Sequence, residues 1–449
     1  MTRLFGTDGI RGIANREPLT PELAMRLGQV VAPYFAQQER PPRVVIGRDT
    51  RRSGDMLEGA LLAGICSAGG DALLAGIVPT PAVAFLVRSL GAACGLVVSA
   101  SHNPFADNGI KVFGADGFKL PDAIEQELEA TLATEPHPRP CGAGVGRATA
   151  IDAAGDRYVE HLCKAVRVDL SGFRMIVDCA NGAASEVGPR LLERCAAEVE
   201  SIHASPDGIN INEACGATHP ESLQAAVRRR GAHLGIALDG DADRLILVDE
   251  TGAVVDGDEI LAILAQDAVQ RGVDCRAGVV ATLMSNLGLE QALRGFGVNL
   301  VRCAVGDRYV VETMRQIGSR LGGEQSGHII LLDHATTGDG LLAALAVAAV
   351  MKRTGKRLSE LRTVMRHCPQ TLINVRVRER RDLESIDAVR RASRRAQESL
   401  AAEGRVLLRY SGTEPLVRVM VEGVDAQQVE AWAREIADAV RNSIGEKAG

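Results

Sequence analysis

Aromatic residues are scarce in this chain: one tryptophan, four tyrosines and eight phenylalanines among 449 residues. Few platforms are left on which nucleobases could stack. An excess of basic charge is lacking too, since the formal net charge is -6. That disfavours a general nucleic-acid binder. No apolar run is long enough to span a bilayer; the longest clear one, Leu341 to Met351, is short and rich in alanine. The opening stretch, MTRLFGTDGIRG, has no apolar segment of a secretory signal. The ten cysteines include no CxxC pair and no metal-ligand spacing. They read as small core residues of a protein in a reducing cytoplasm.

Glycine, by contrast, is abundant at 48 residues. Many glycines lie in loops after apolar runs. The length predicts two to four domains. Val44-Val45-Ile46, Leu96-Val97-Val98, Met175-Ile176-Val177 and Val279-Val280 each precede a polar or glycine-bearing loop. Helical patterns lie between them, at 20–39, 53–69, 156–167, 221–230, 258–271 and 339–354. This is the pattern of mainly parallel, doubly wound sheets, whose ligands bind at strand C-terminal ends. Thr20-Pro21 is a helix start signal. The Pro- and Gly-rich stretch 133–150 predicts a linker, and further breaks fall near 255 and at 366–370. The expected domains are 1–150, 151–254, 255–366 and a smaller α+β domain at 367–449. The similar strand–loop–helix units hint at an internal repeat.

The sharpest chemical signal is LGIALDGDADRLILVDE, 234–250. Asp239, Asp241 and Asp243 alternate directly after an apolar strand. On an extended backbone they would share one face. Each pair at about 4 Å would cost roughly 4 kcal/mol at an effective dielectric near 20, on the order of 12 for three pairs. A hard divalent ion with oxygen ligands, Mg²⁺ first, resolves that conflict. An EF-hand loop is excluded, because Arg244 stands where its tight turn needs glycine. A solvated acidic turn is the plain alternative.

In GLVVSASHNPFADNGIK, 95–111, the core strand ends in two hydroxyls, an imidazole and a proline. Ser101 lacks the elbow motif of a hydrolase nucleophile. His102, its neighbour, is expected to point the other way on an extended chain. A hydroxyl that carries a phosphoryl group fits if a metal loop is near, and turn hydroxyls are the alternative. RYSGTEPLVRV, 409–419, offers the guanidiniums of Arg409 and Arg418 around Ser411, Gly412 and Thr413, a set suited to an anion. GGEQSGH, 322–328, sets Glu324, Ser326 and His328 among glycines, a mix that suits sugar hydroxyls. Arg11 and Lys111 complete the inventory.

The order S-A-S-H-N-P, D-G-D-A-D-R, G-E-Q-S-G-H and R-x-S-G-T-E-P resembles the α-D-phosphohexomutase family, from Phe5 to about Glu422. FGTDGIRG, PDGININEACGATHPE, MSNLGLE and VGDRYV carry the resemblance toward members that act on glucosamine phosphates. It implies a four-domain, heart-shaped α/β architecture with three mixed α/β domains and a smaller C-terminal one. It implies an enzyme that interconverts glucosamine 6-phosphate and glucosamine 1-phosphate in the cytoplasm, toward UDP-N-acetylglucosamine. By motif, Ser101 would be the phosphoserine, and Asp239, Asp241 and Asp243 with its phosphate would hold Mg²⁺. Glucosamine 1,6-bisphosphate would be intermediate and primer. Glu324 and Ser326 would bind sugar hydroxyls, and Gly306, Asp307 and Arg308 would help choose the sugar. Arg409, Ser411, Gly412, Thr413 and Arg418 would hold the non-reacting phosphate. Arg11, Lys111 and His328 would act near the transferring phosphate, with Lys111 as a base of lowered pKa. Tyr410 stands where the family more often has proline, which would loosen the phosphate loop slightly. A homodimer is expected, with no nucleic-acid or membrane partner. Two alternatives stay open: a relative preferring mannose or glucose phosphates, and a phosphosugar-binding regulator without turnover.

Overall fold

A computed structural model describes residues 4–6, 8–36, 41–134, 139–411 and 415–446. The chain divides into two compact units, Met1–Met284 with Val298–Val364, and Ser285–Gly297 with Met365–Gly449.

The first unit holds three sheets. The first contains β1 (Ile10–Ile13), β2 (Arg43–Arg48), β3 (Asp71–Ile77), β4 (Cys94–Val98), β5 (Asp107–Gly114) and β6 (Ala148–Ala150), in the order β1-β5-β4-β2-β3-β6. The second contains β7 (Arg174–Asp178), β8 (Glu198–Ile202), β9 (Leu234–Leu238), β10 (Leu245–Asp249) and β11 (Val254–Val255), in the order β11-β10-β9-β7-β8. The third contains β12 (Val279–Thr282), β13 (Leu300–Cys303), β14 (Leu321–Gly323) and β15 (Ile329–Leu331), in the order β13-β12-β14-β15.

A common plan runs through all three. Three neighbouring parallel strands end in one antiparallel strand: β3-β2-β4-β5, β8-β7-β9-β10 and β13-β12-β14-β15. The turn into that antiparallel strand carries Ser101 in the first sheet, the three aspartates in the second, and Glu324, Ser326 and His328 in the third. The repeat hinted at by the sequence is therefore one of strand order. The sheets are mixed with parallel pairing in the majority, as expected, and each of these turns is a reversal into an antiparallel strand.

Local chemistry explains the elements. β4 and β9 are buried along their whole length, as continuous apolar runs predict. Thr20 caps the helix Pro21–Tyr34 by accepting from the Leu23 N–H at 3.3 Å. That helix meets the helix Gly54–Ser67 through glycine; a Cβ at Gly64 would lie 2.1 Å from the Met25 carbonyl oxygen. The helix ends at Tyr34, short of the predicted residue 39. The stretch 133–150 is no free linker at its far end, since β6 pairs with β3.

The second unit is built on β16 (Gln370–Arg376), β17 (Gly404–Tyr410) and β18 (Leu416–Gly423), antiparallel in the order β16-β18-β17. The helices Asp387–Leu400 and Ala426–Ile444 bury Val389, Ala396, Leu400, Ile436 and Val440 in its core. The helix Leu287–Gly295 belongs to this unit, held where Asn286 bonds to the backbone N–H and carbonyl of Cys368.

Candidate active site

β4 delivers the chain to Ser99, whose Oγ donates to Asp49 Oδ2 at 2.6 Å and accepts from the Ser101 N–H at 2.9 Å. Ser101 has φ 53°, in the left-handed region that only a minority of non-glycine residues adopt. The loop around it is clamped from within. Arg51 is fully buried; its Nη2 donates to the carbonyls of Ser101 (3.0 Å) and Asn103 (2.8 Å). Its Nη1 donates to Asp107 O at 3.0 Å and to Pro104 O, and its Nε to Asp49 Oδ2 at 2.9 Å. Asn212, from the second sheet's surroundings, donates to the same Ser101 and Asn103 carbonyls at 2.9 and 3.0 Å. Arg11 holds Ala100 O at 3.2 Å and pairs with Asp8. The left-handed turn also brings His102 Nδ1 to 3.4 Å from Ser101 Oγ, against the expectation that it points away. Burial, then Arg244 and Arg11, lower the His102 pKa to about 4, so this imidazole is neutral.

Ser101 Oγ donates to Asp239 Oδ2 at 2.5 Å. Asp239, Asp241 and Asp243 are buried, and one oxygen of each lies within 4.8 Å of the others. Their convergence does not come from strand alternation. β9 stops at Leu238, and a turn with Ala242 at φ 56° gathers the side chains. Gly240 allows the two loops to touch, since a Cβ there would sit 2.6 Å from the Ser101 carbonyl oxygen.

Lys111, from β5, reaches Asp241 Oδ2 at 2.8 Å, Asp243 Oδ2 at 3.1 Å and Asp8 Oδ2 at 3.1 Å. Thr80 Oγ1 also donates to Asp241 Oδ2. Asp241 Oδ1 and Asp243 Oδ1 are buried without a hydrogen bond. Two orphaned oxygens in an all-carboxylate set fit a hard divalent cation. Burial, then Asp243 and Asp241, push Asp239 up to about 8. Burial works against a charge on Asp243, yet Lys111 and His328 hold it well below the usual range. The Lys111 ammonium, also opposed by burial, is raised well above the usual lysine range by Asp241, Asp243 and Asp8. This corrects the expectation of a lowered lysine pKa: Lys111 is a fixed cation among carboxylates.

A cleft of about 420 Å³ opens beside these groups, lined in part by Arg11, His102, Asp243, Asp307, Glu324 and His328. His328 Nδ1 is 3.6 Å from Asp243 and its Nε2 3.3 Å from Asp307. The Gly338 N–H, 3.0 Å from Nε2, favours a neutral ring. Against burial, Asp307 and Asp243 raise the pKa to about 10. Lys119 bridges Asp8 and Asp307. Glu324 accepts from the Gly306 N–H at 3.0 Å and from Ser326 Oγ at 3.3 Å. Arg308 is buried and turned toward Asp122 and Glu125. Its guanidinium ties the loop to the first domain and does not line the cleft.

In the second unit, Arg409 and Arg418 face each other across β17 and β18. Arg418 Nε is buried without a hydrogen bond, and burial, then Arg418, lower the Arg409 pKa. Arg380 donates to Ser411 O at 2.8 Å. The Tyr410 hydroxyl donates to Arg381 O at 2.6 Å and accepts from Arg381 N at 2.9 Å, so the tyrosine anchors the end of its strand. Gly412 and Thr413 lie outside the described residues.

Asp8, Asp49, Arg51, Lys119 and Asn212 escaped sequence reasoning as site residues. One signal was available: DTRRSG, 49–54, directly follows β2 at its C-terminal end, the edge where ligands bind in such sheets.

Family models for phosphoglucomutase/phosphomannomutase match the chain throughout: α/β/α domain I at 2–139, domain II at 156–252, domain III at 256–368 and the C-terminal domain at 372–439. The phosphoglucosamine mutase of Syntrophotalea carbinolica is 52% identical over 448 residues, covering 99% of this chain and 98% of that one. A phosphoglucomutase/phosphomannomutase family protein of Burkholderia thailandensis superposes with a TM-score of 0.82 at 24% identity, over 99% of each chain. The Aspergillus fumigatus N-acetylphosphoglucosamine mutase, solved with GlcNAc-6P and magnesium, gives 0.68 at 19% identity, over 98% of this chain and 95% of that one.

Proposed function

The chain belongs to the phosphoglucomutase/phosphomannomutase family, and from that premise we propose that it is an isomerase interconverting glucosamine 6-phosphate and glucosamine 1-phosphate. The observation that carries the reading is the hydrogen bond of 2.5 Å from Ser101 Oγ to Asp239, beside two carboxylate oxygens, Asp241 Oδ1 and Asp243 Oδ1, that accept no hydrogen bond.

The phosphoryl group begins as an ester on Ser101 Oγ. The O1 hydroxyl of glucosamine 6-phosphate attacks phosphorus; the bond from phosphorus to Oγ breaks as the bond to O1 forms. Overall, the hydroxyl proton passes to Ser101 Oγ, giving glucosamine 1,6-bisphosphate. The sugar turns over and Ser101 Oγ attacks the 6-phosphorus; the bond from phosphorus to O6 breaks as the bond to Oγ forms, the serine proton passes overall to O6, and glucosamine 1-phosphate leaves. Such transfers ask mainly for positioning and charge neutralisation.

Arg51, Asn212 and Arg11 position the serine by fixing its loop. Lys111 and the charged His328 supply positive charge without exchanging protons near neutral pH. Asp239, Asp241 and Asp243, with the Ser101 phosphate, would hold Mg²⁺, which when bound neutralises charge on the transferring group. Glu324 and Ser326 would meet the sugar hydroxyls, with Gly306 and Asp307 beside them. Arg409, Ser411, Gly412, Thr413 and Arg418 would take the non-reacting phosphate.

We place the enzyme in the cytoplasm on the route to UDP-N-acetylglucosamine, which its ten free thiols suit. Among the described residues, no helix is long and apolar enough to cross a membrane. A homodimer is proposed from the family resemblance, and sedimentation tests it.

The functional test is isomerisation of glucosamine 6-phosphate with Mg²⁺ and bisphosphate primer, beside glucose and mannose phosphates. Glucosamine phosphate is the expected preferred substrate. Ser101→Ala should lose activity by a factor on the order of 10⁴ or more. Near-normal turnover by that variant would refute the covalent role, and preference for mannose or glucose phosphate would favour the other relatives.

A further inference from the structure

Away from the carboxylate trio, a different donor set meets at the edge of the second sheet. Asp178 ends β7, His203 directly follows β8, and Cys215 precedes the short turn Gly216–Thr218. One ligand atom of each lies within 4.8 Å of the other two. Asp178 and Cys215 are fully buried, whereas His203 is half-buried and keeps one side toward solvent. These residues are far apart in sequence, so no short motif announces them.

Two details argue for an ion over a plain polar cluster. His203 Nδ1 lies 3.0 Å from Asp178 Oδ2, which raises the His203 pKa, yet this buried nitrogen makes no well-directed hydrogen bond. A nitrogen and an oxygen bound to one tetrahedral Zn²⁺ at about 2.0–2.1 Å stand roughly 3.3–3.4 Å apart, so this pair would open by a few tenths of an ångström around the ion. The carboxylate is also held in place as a ligand should be: Oδ1 accepts from Ala180 N and Oδ2 from Gly216 N, both at 2.9 Å. Each oxygen keeps a lone pair. A cysteine nucleophile is a poor alternative, because burial, then Asp178 and Glu213, push the Cys215 thiol up to about 12. A coordinating thiol, by contrast, is deprotonated by the ion itself.

We propose that Asp178, His203 and Cys215 form a second metal site, for a borderline-soft divalent ion of the Zn²⁺ class. The mixed oxygen, nitrogen and sulfur set selects against Mg²⁺. The ion enters past His203 and keeps a water as fourth ligand. It braces the segment between His203 and Cys215, and that segment carries Asn212, the donor to the Ser101 and Asn103 carbonyls. Binding here therefore stiffens the support of the serine loop without touching substrate.

Cobalt(II) is the probe, added to the full-length protein in excess Mg²⁺ so that the carboxylate trio is satisfied. One equivalent should produce a thiolate-to-cobalt charge-transfer absorption, displaced by Zn²⁺. Oxygen ligands alone cannot give that band. Cys215→Ser should abolish it, His203→Asn should weaken cobalt affinity by at least about tenfold, and Cys179→Ser should leave it. A wild-type protein without the band, or a band that survives Cys215→Ser or vanishes with Cys179→Ser, overturns the proposal.

Discussion

The loop of Ser101 and the loop of Asp239, Asp241 and Asp243 leave equivalent strands of two sheets with the same order, β4 and β9. They meet opposite electrostatic conditions. In the first, the five N–H donors of one buried guanidinium reach Asp49 and four backbone carbonyls. In the second, carboxylates crowd together and two of their oxygens find no donor. The first loop is complete as folded. The second leans on Lys111 from another strand and has the geometry of a candidate metal site.

Breaking the first loop should have the largest effect. Arg51→Ala removes the counter-ion of the buried Asp49 carboxylate and one donor from each of four carbonyls, of which those of Ser101 and Asn103 keep Asn212. Unfolding in urea should show a loss of about 3–5 kcal/mol, and Arg51→Lys should not restore it, because lysine cannot reproduce the planar fork. Breaking the second loop should act on metal and not on folding. Asp241→Asn is expected to raise the Mg²⁺ needed for half-maximal isomerisation roughly 10–100-fold, with activity recovered at high Mg²⁺.

The pH dependence sharpens the contrast further. Native Asp239 keeps its proton up to about 8, whereas its ordinary value is 3.8. The native state therefore binds more protons in that window, and stability falls as pH rises through it. In EDTA, urea midpoints of the wild type should decline from about pH 4 to pH 8 more steeply than those of Asp239→Asn, and saturating Mg²⁺ should flatten the difference. The smallest effect is expected in the second unit. Tyr410→Phe removes two hydrogen bonds to Arg381 and should cost about 1 kcal/mol in thermal unfolding.

Strands such as Leu96–Val98 and the start at Thr20 were legible because their signals are local: apolar runs, a hydroxyl cap, a proline. The loops of Ser101, of the three aspartates and of Glu324 were legible for the same reason. Asp8, Arg51 and Asn212 were not, because their meaning lies in partners far along the chain. The aspartates meet through a turn that alternation does not predict, with Ala242 in the left-handed region. The lysine pKa was read with the wrong sign because three of its neighbours, Asp8, Asp241 and Asp243, are fixed only by the fold.

Asn212 reaches from the surroundings of one sheet to hold the backbone of a loop that leaves another. The placement of Ser101 is thus a shared property of two sheets and their loops. A fragment of residues 1–150 would keep the hydroxyl and lose its bearing. Chimeras that borrow one lobe from a cousin, and libraries that randomise one lobe at a time, will succeed only where this handshake travels with them.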